Sequence, residues 1–167
     1  MSPRPNIELT PDEQAAFLLE RHKCALATYG PDGFPHIVAM NFFVKDDVYC
    51  MTSYGKAQKV LNIRRNPKVA LMIEAGDAYG ELRGMMVRGL CEIIEDPDAV
   101  RVALTDRTEA AGSRRPPAAG AVASAPKRVL LKVVPHKVTS WDHRKLGGRY
   151  GAGPKAGGGM RRVDAAS

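Results

Sequence analysis

The chain has 167 residues, 44% of them hydrophobic, which is enough for one domain with its own core and too apolar for a disordered segment. It carries 25 Lys+Arg against 18 Asp+Glu, a net charge of +7; only 6% of residues are aromatic and no strand is rich in stacking rings, so a small polyanion is expected as partner rather than nucleic acid. No run of about 18 apolar residues predicts a membrane span, and the N-terminus lacks an apolar signal core, so a cytoplasmic protein is expected.

Residues 1–9 read as an arm. Thr10-Pro11-Asp12-Glu13 is a helix start, with Thr10 as N-cap, Pro11 in the first helical position and Glu13 closing a capping box. That helix is expected to run to about His22, with Ala16, Phe17, Leu18 and Leu19 as its apolar face. Lys23–Tyr29 reads as a strand, Gly30-Pro31-Asp32-Gly33 as a hairpin turn, and Phe34–Val44 as the returning strand. Lys45-Asp46-Asp47 turns the chain into Val48–Ser53. A short basic helix, about Lys56–Arg65, ends at Asn66-Pro67, and Lys68–Glu74 is a fourth strand.

After a loop at Ala75–Ala78, Tyr79–Glu95 is a long strand with bends expected at Gly84 and Gly89. Asp96-Pro97-Asp98 caps a helix from Ala99 to about Thr108. Residues 109–126 are low in complexity and expected to be a mobile insert; Arg128–Ser140 is the closing strand; residues 149–167 are a flexible, basic, Gly/Ala-rich tail. Four of the seven excess positive charges lie in residues 141–167. The domain is therefore residues 10–148, mainly β (α+β). Short strands, hairpins and glycine bends predict a closed antiparallel barrel with a few short helices. No βαβ alternation with a glycine fingerprint supports a dinucleotide-binding sheet.

One stretch carries chemistry. Thr52-Ser53-Tyr54-Gly55-Lys56-Ala57-Gln58-Lys59 puts two hydroxyls, a glycine and two lysines between a strand and a helix, which suits a phosphate. Thr52 and Ser53 can also cap the following helix, a compatible use of the same geometry. Cys24, Cys50 and Cys91 lie far apart in apolar runs, with no ligand spacing, so they read as reduced core thiols and no metal site is expected.

Cys24–Thr28, Pro31-Asp32-Gly33, Pro35-His36, the Lys59 helix ending in Arg64-Arg65-Asn66-Pro67, Val69–Ile73, Gly76–Gly84 and Ser140–Gly147 together resemble the pyridoxamine 5′-phosphate oxidase-like split β-barrel superfamily. Within it they are most similar to the flavin/deazaflavin oxidoreductases associated with coenzyme F420. The resemblance implies a split antiparallel barrel, a homodimer and two cofactor sites at the subunit interface, holding coenzyme F420 or FMN. It implies that Lys59 grips the cofactor phosphate, that Thr52 and Ser53 meet it from the strand end, and that Lys56, Ala57 and Gln58 wrap it. It places His36, Val38, Ala39, Met40 and Asn41 along the ring and ribityl chain. Relatives often have an arginine where this chain has Ala57 or Gln58, and Lys56 is the available substitute, without the bidentate fork of an arginine.

Two roles are open to Trp141: covering the cofactor from the second subunit, or anchoring the last strand. Asp142, His143 and Arg144 read as a structural hydrogen-bond cluster. No catalytic acid or base of the protein is expected, because hydride chemistry belongs to the cofactor. A basic rim of Lys56, Arg64, Arg65 and Arg144 would suit the acidic tail of a deazaflavin. The expected function is an oxidoreductase acting on a small organic acceptor; the alternative is a non-catalytic carrier or sensor of flavin, deazaflavin or haem on the same barrel.

Overall fold

A computed structural model describes residues 6–112 and 117–147. Residues 1–5 of the arm, 113–116 of the insert and the tail from 148 onward lie outside the described residues. Helix α1 spans Pro11–Glu20 and opens on the expected capping box: the Glu13 N–H donates to Thr10 Oγ1 at 3.3 Å and the Thr10 N–H to Glu13 Oε2 at 2.7 Å. The expected apolar face is narrower than its sequence. Phe17 alone is fully buried, beneath the guanidinium of Arg83, while Leu19 is 80% exposed because the helix ends before a second apolar turn can reach the sheet.

Among the described residues seven strands follow: β1 (Lys23–Tyr29), β2 (Pro35–Asn41), β3 (Phe43–Lys45), β4 (Val48–Tyr54), β5 (Lys68–Ala75), β6 (Arg83–Ile94) and β7 (Arg128–Asp142). Helix α2 is Gln58–Arg65, α3 Pro97–Ala110 and α4 Ala119–Ala123. The predicted single strand Phe34–Val44 is in fact two. Phe42 is buried and its N–H donates to the His22 carbonyl, so the chain leaves β1 there and pairs next with β4. The β3–β4 turn puts Asp46 and Asp47 at φ 51° and 60°, left-handed geometry that side chains resist. Asp47→Gly is expected to raise stability by about 0.5–1 kcal/mol in urea unfolding.

All strand pairs are antiparallel, in the order β2-β1-β5-β6-β7-β4-β3. The sheet curls until its edge strand β2 approaches β4 without pairing to it, which leaves a barrel that is split. The register of β6 and β7 shifts between Arg88 and Gly89. Gly89 is required there, since a Cβ would lie 2.3 Å from the Val134 carbonyl oxygen. The bulge lets these long strands turn the corner of the curl.

Alternation divides each strand between two sides. Leu26, Met51, Leu71, Ile73, Met85, Val87, Leu131 and Val133 fill the inside of the curl, beneath α1 and α2. The other face of β4 and β7 carries a second cluster, Phe43, Cys50 and Leu130, covered by Val100, Ala103 and Leu104 of α3. Within the insert, α4 and a 3-10 turn at Ala125–Lys127 add to that cover, and Ala125 is fully buried.

Candidate functional site

The site is built where α2 crosses the end of the curl beside β1 and β2. Helix α2 is eight residues long, too short to be stable alone. Val60, Asn62 and Ile63 hold it down. Asn62 is fully buried, and its Nδ2 donates to Thr28 Oγ1 of β1 at 3.0 Å. Thr28 Oγ1 donates in turn to the His36 carbonyl of β2 at 3.3 Å. The Asn62 Oδ1 accepts from Gln58 Nε2 at 2.8 Å and from Arg65 Nη2 at 2.5 Å. A single polar chain therefore sets α2 against β2. Sequence reasoning missed Asn62 and Thr28; the signals were a polar residue between Val60 and Ile63 on the inward stripe, and a threonine continuing the inward series Cys24, Leu26.

Lys59 lies on the same inward stripe, one turn before Ile63. It is half-buried, and burial pushes its pKa below that of an ordinary lysine. It has no hydrogen-bond acceptor or carboxylate partner among the described residues. A desolvated cation without a counter-ion is a costly arrangement unless a ligand supplies the anion. One more group fits that account: His36 Nδ1 is buried and makes no hydrogen bond among the described residues, whereas Thr52 Oγ1, also buried without a partner, faces the second cluster.

The other predicted residues fall in several places. Helix α2 begins at Gln58 with Ala57 as N-cap, not at Lys56, and no side chain caps it. Thr52 and Ser53 therefore cap nothing: β4 continues through Tyr54, and a turn at Gly55-Lys56 intervenes. They also face opposite ways, Thr52 opposite Leu130 toward the second cluster and Ser53 opposite Val129 toward the barrel interior. Along β2, His36, Val38 and Met40 turn inward while Ala39 and Asn41 share the outer face. What unites them is the backbone: β2 is an edge strand, with main-chain donors and acceptors on its free side.

Trp141 is half-buried over Gly84, where a Cβ would meet its Cζ2 at 2.5 Å. It lies three strands and five residue rows from Thr28, about 20 Å within one protomer. The predicted basic rim does not assemble either. The 15-residue length of β7 separates Arg144 from the Lys56 end, and Arg65 is turned to Asn62. Arg144 closes on Asp142 through Nε at 2.9 Å and Nη2 at 2.6 Å. Asp142 also accepts from the Arg144 N–H, opening a 3-10 turn over His143–Leu146, so this cluster is structural.

The hydrogen bonds from Arg144 hold the buried Asp142 carboxyl below the usual carboxylate range. A depressed carboxyl pKa stabilises the fold above its unfolded value, near 3.8, and that contribution is lost as pH falls through the folded value. Asp142→Asn is therefore expected to lower stability at pH 7 and to flatten its decline below about pH 4, read by thermal melts across pH.

Burial pushes the Cys24 and Cys91 thiols up to about 12 and raises Cys50, so none is a nucleophile at neutral pH. Among the described residues no cluster of three His, Cys, Asp or Glu could hold a metal ion, and no helix is long and apolar enough to cross a membrane. On the outer face of the sheet, Ala39, Ala25, Met72, Met86 and Thr139 form one cross-strand row and Ile37, Ala27, Ala70, Arg88 and Lys137 the next. Ile37 is 62% exposed and Met72 40%.

Residues 10–142 match the family model described as pyridoxamine 5′-phosphate oxidase. The F420H(2)-dependent biliverdin reductase of Mycobacterium tuberculosis (strain CDC 1551 / Oshkosh) is 30% identical over 124 residues, which is 73% of this chain and 81% of that protein. Among solved structures, a conserved hypothetical protein from Mycobacterium tuberculosis is 36% identical with a TM-score of 0.77, over 88% of this chain and 93% of its own. A structure described as an F420 reductase is 33% identical with a TM-score of 0.59, over 72% of this chain and 92% of its own.

Proposed function

The chain belongs to the pyridoxamine 5′-phosphate oxidase family, and from that premise we propose that it is an oxidoreductase using reduced coenzyme F420 to reduce a small organic acceptor. The observation that carries this reading is Lys59, a half-buried cation lacking an anion, on a helix tied through Asn62 and Thr28 to the edge strand β2. Lys59 would hold the cofactor phosphate. His36 Nδ1 and the free edge of β2 would receive polar groups of the ribityl chain and ring. Val38 and Met40, inward on the same strand, would keep water from the ring. The cofactor supplies the hydride when bound; the chain's residues bind, orient and exclude water. The two relatives whose names carry F420 favour the deazaflavin over FMN.

The reading includes a homodimer. Ala25, Ala27, Ile37, Ala39, Met72 and Met86 make a flat, small-residue apolar face that a second copy would cover, and Trp141 shares that face through its pairing with Gly84. It would then serve the partner's site, since about 20 Å separates it from its own. Equilibrium dialysis of the purified protein against coenzyme F420 and FMN tests the cofactor. F420 is expected to bind more tightly than about 100 μM, or roughly −5.5 kcal/mol, and more tightly than FMN. If neither cofactor binds in that range the reading fails, and tighter FMN binding reassigns the cofactor. Bound F420 with no reduction of any acceptor across a broad panel returns the chain to a carrier. A monomer by light scattering removes the shared site.

A further inference from the structure

The lysines of this chain differ in what holds them. Lys45 Nζ lies 2.8 Å from Asp106 Oδ2, and Lys145 Nζ lies 2.5 Å from Glu13 Oε2. The Asp106 carboxylate accepts from Lys45, raises the pKa of that amine and keeps it charged. Lys59 has the opposite surroundings. Burial alone acts on it and lowers its pKa, with no carboxylate to retain the proton. A desolvated lysine offers a larger share of neutral amine, the form that attacks carbonyl carbon. Position adds to this. Lys59 stands in the first turn of α2, which no side chain caps, so the Gln58 and Lys59 N–H groups have no intrahelical acceptor. A helical side chain leans toward the N-terminus of its own helix. The amine and the open N–H groups therefore share one end of α2, and half-burial leaves the amine within reach of a small molecule.

An acyl phosphate meets both features at once. Its phosphate suits the open N–H groups, and its acyl carbon, next to that phosphate, is an electrophile for the amine. We propose that Lys59 is a site of acylation by small acyl phosphates whenever no cofactor occupies the site. The electron pair of the amine forms a C–N bond to the acyl carbon. The bond from that carbon to the phosphate oxygen breaks, and inorganic phosphate leaves with the proton shed by the nitrogen. The product is an amide that carries no charge. An acylated Lys59 has nothing to offer a cofactor phosphate, and a bound cofactor shields the amine, so the modification falls on empty protein. The inference goes beyond the proposed function. It rests on the reading of Lys59 as a phosphate-binding group, and not on the identity of the cofactor or the acceptor.

Incubating the cofactor-free, full-length protein with acetyl phosphate at about pH 8, where an unburied lysine is almost wholly charged, tests it. Peptide mass spectrometry follows each lysine while modification is still sparse. Lys59 is expected to gain acetyl at least about fivefold faster than Lys23, an exposed lysine on β1, the kind of advantage a held reactant gives. Acetic anhydride carries no phosphate, and its preference for Lys59 over Lys23 is expected to be smaller. Excess inorganic phosphate is expected to slow Lys59 and leave Lys23 unchanged. Protein acetylated at Lys59 is expected to lose F420 affinity by about 5- to 150-fold, the scale of a lost charge-assisted contact. Lys59 reacting no faster than Lys23 overturns the proposal. So does an equal preference with both reagents, or bound F420 that leaves Lys59 unprotected. The two readings fail separately. Selective acetylation in a protein that binds no F420 removes the cofactor assignment and keeps this inference; F420 binding that depends on Lys59, without selective acetylation, does the reverse.

Discussion

Replacing Lys59 with alanine is expected to weaken cofactor binding by about 1–3 kcal/mol, roughly 5- to 150-fold, the scale of a lost charge-assisted hydrogen bond. The same change should leave the melting temperature unchanged or raise it. Burial lowers the Lys59 pKa, so the folded state disfavours the charged form relative to the unfolded chain. A base with a depressed pKa detracts fully from stability below the folded value, and the penalty fades as pH rises from there to the unfolded value near 10.5. Lys59→Met keeps the stem that covers the core and removes the charge, so it should show the pattern more cleanly: affinity down, stability up. A functional cation maintained at a stability cost has this signature. Equal affinity in wild type and Lys59→Ala would mean that the phosphate sits elsewhere. Equilibrium dialysis and thermal melts on the same preparations read both signs.

The largest loss of stability at the site is expected from Ile63→Ala. Ile63 is 2% exposed inside the barrel cluster, and truncating a buried isoleucine costs about 2–5 kcal/mol through lost transfer energy and the cavity left behind. For a chain of this size that corresponds to a fall of very roughly 4–20 °C in melting temperature. The affinity for cofactor should fall too, although Ile63 touches no ligand, because α2 has few anchors and Lys59 rides on it. Leu61→Ala is the matched control. Leu61 sits on the same helix at 43% exposure, and its truncation should stay within about 0.5 kcal/mol. If Ile63→Ala lowers stability while affinity is unchanged, Lys59 is positioned by something other than α2 docking.

Much of this fold was legible in residue order. The Thr10–Glu13 box, the strand β1, the Gly89 bend and the Asp96 start of α3 all follow from local rules and appear as expected. Local rules misplace what long-range contacts decide. Nothing in the aromatic pair Phe42-Phe43 signals a strand break; the break comes from the His22 carbonyl, twenty residues back. Composition put Arg144 and Lys56 into one basic rim, and topology put them at opposite ends of β7. Lys127 and Arg128, at the expected start of the closing strand, are the cations that do join Lys56. Asn62 was passed over because an asparagine on a basic helix reads as surface. It is buried because Thr28 offers it a partner.

The place of β7 also has a consequence for biosynthesis. It is the last strand among the described residues, yet it sits between β6 and β4, and Tyr49 cannot find its partner Val133 until nearly the whole barrel has left the ribosome. Until then β3 and β4 form a hairpin detached from the rest of the sheet, with Cys50 and Phe43 lacking Leu130 of β7 and a free strand edge open to other nascent chains. Pairing at such sequence separation is slow. Truncations that stop before residue 128 should therefore aggregate rather than yield a smaller soluble barrel, and production of the intact protein should be limited by the rate at which its final strand is delivered.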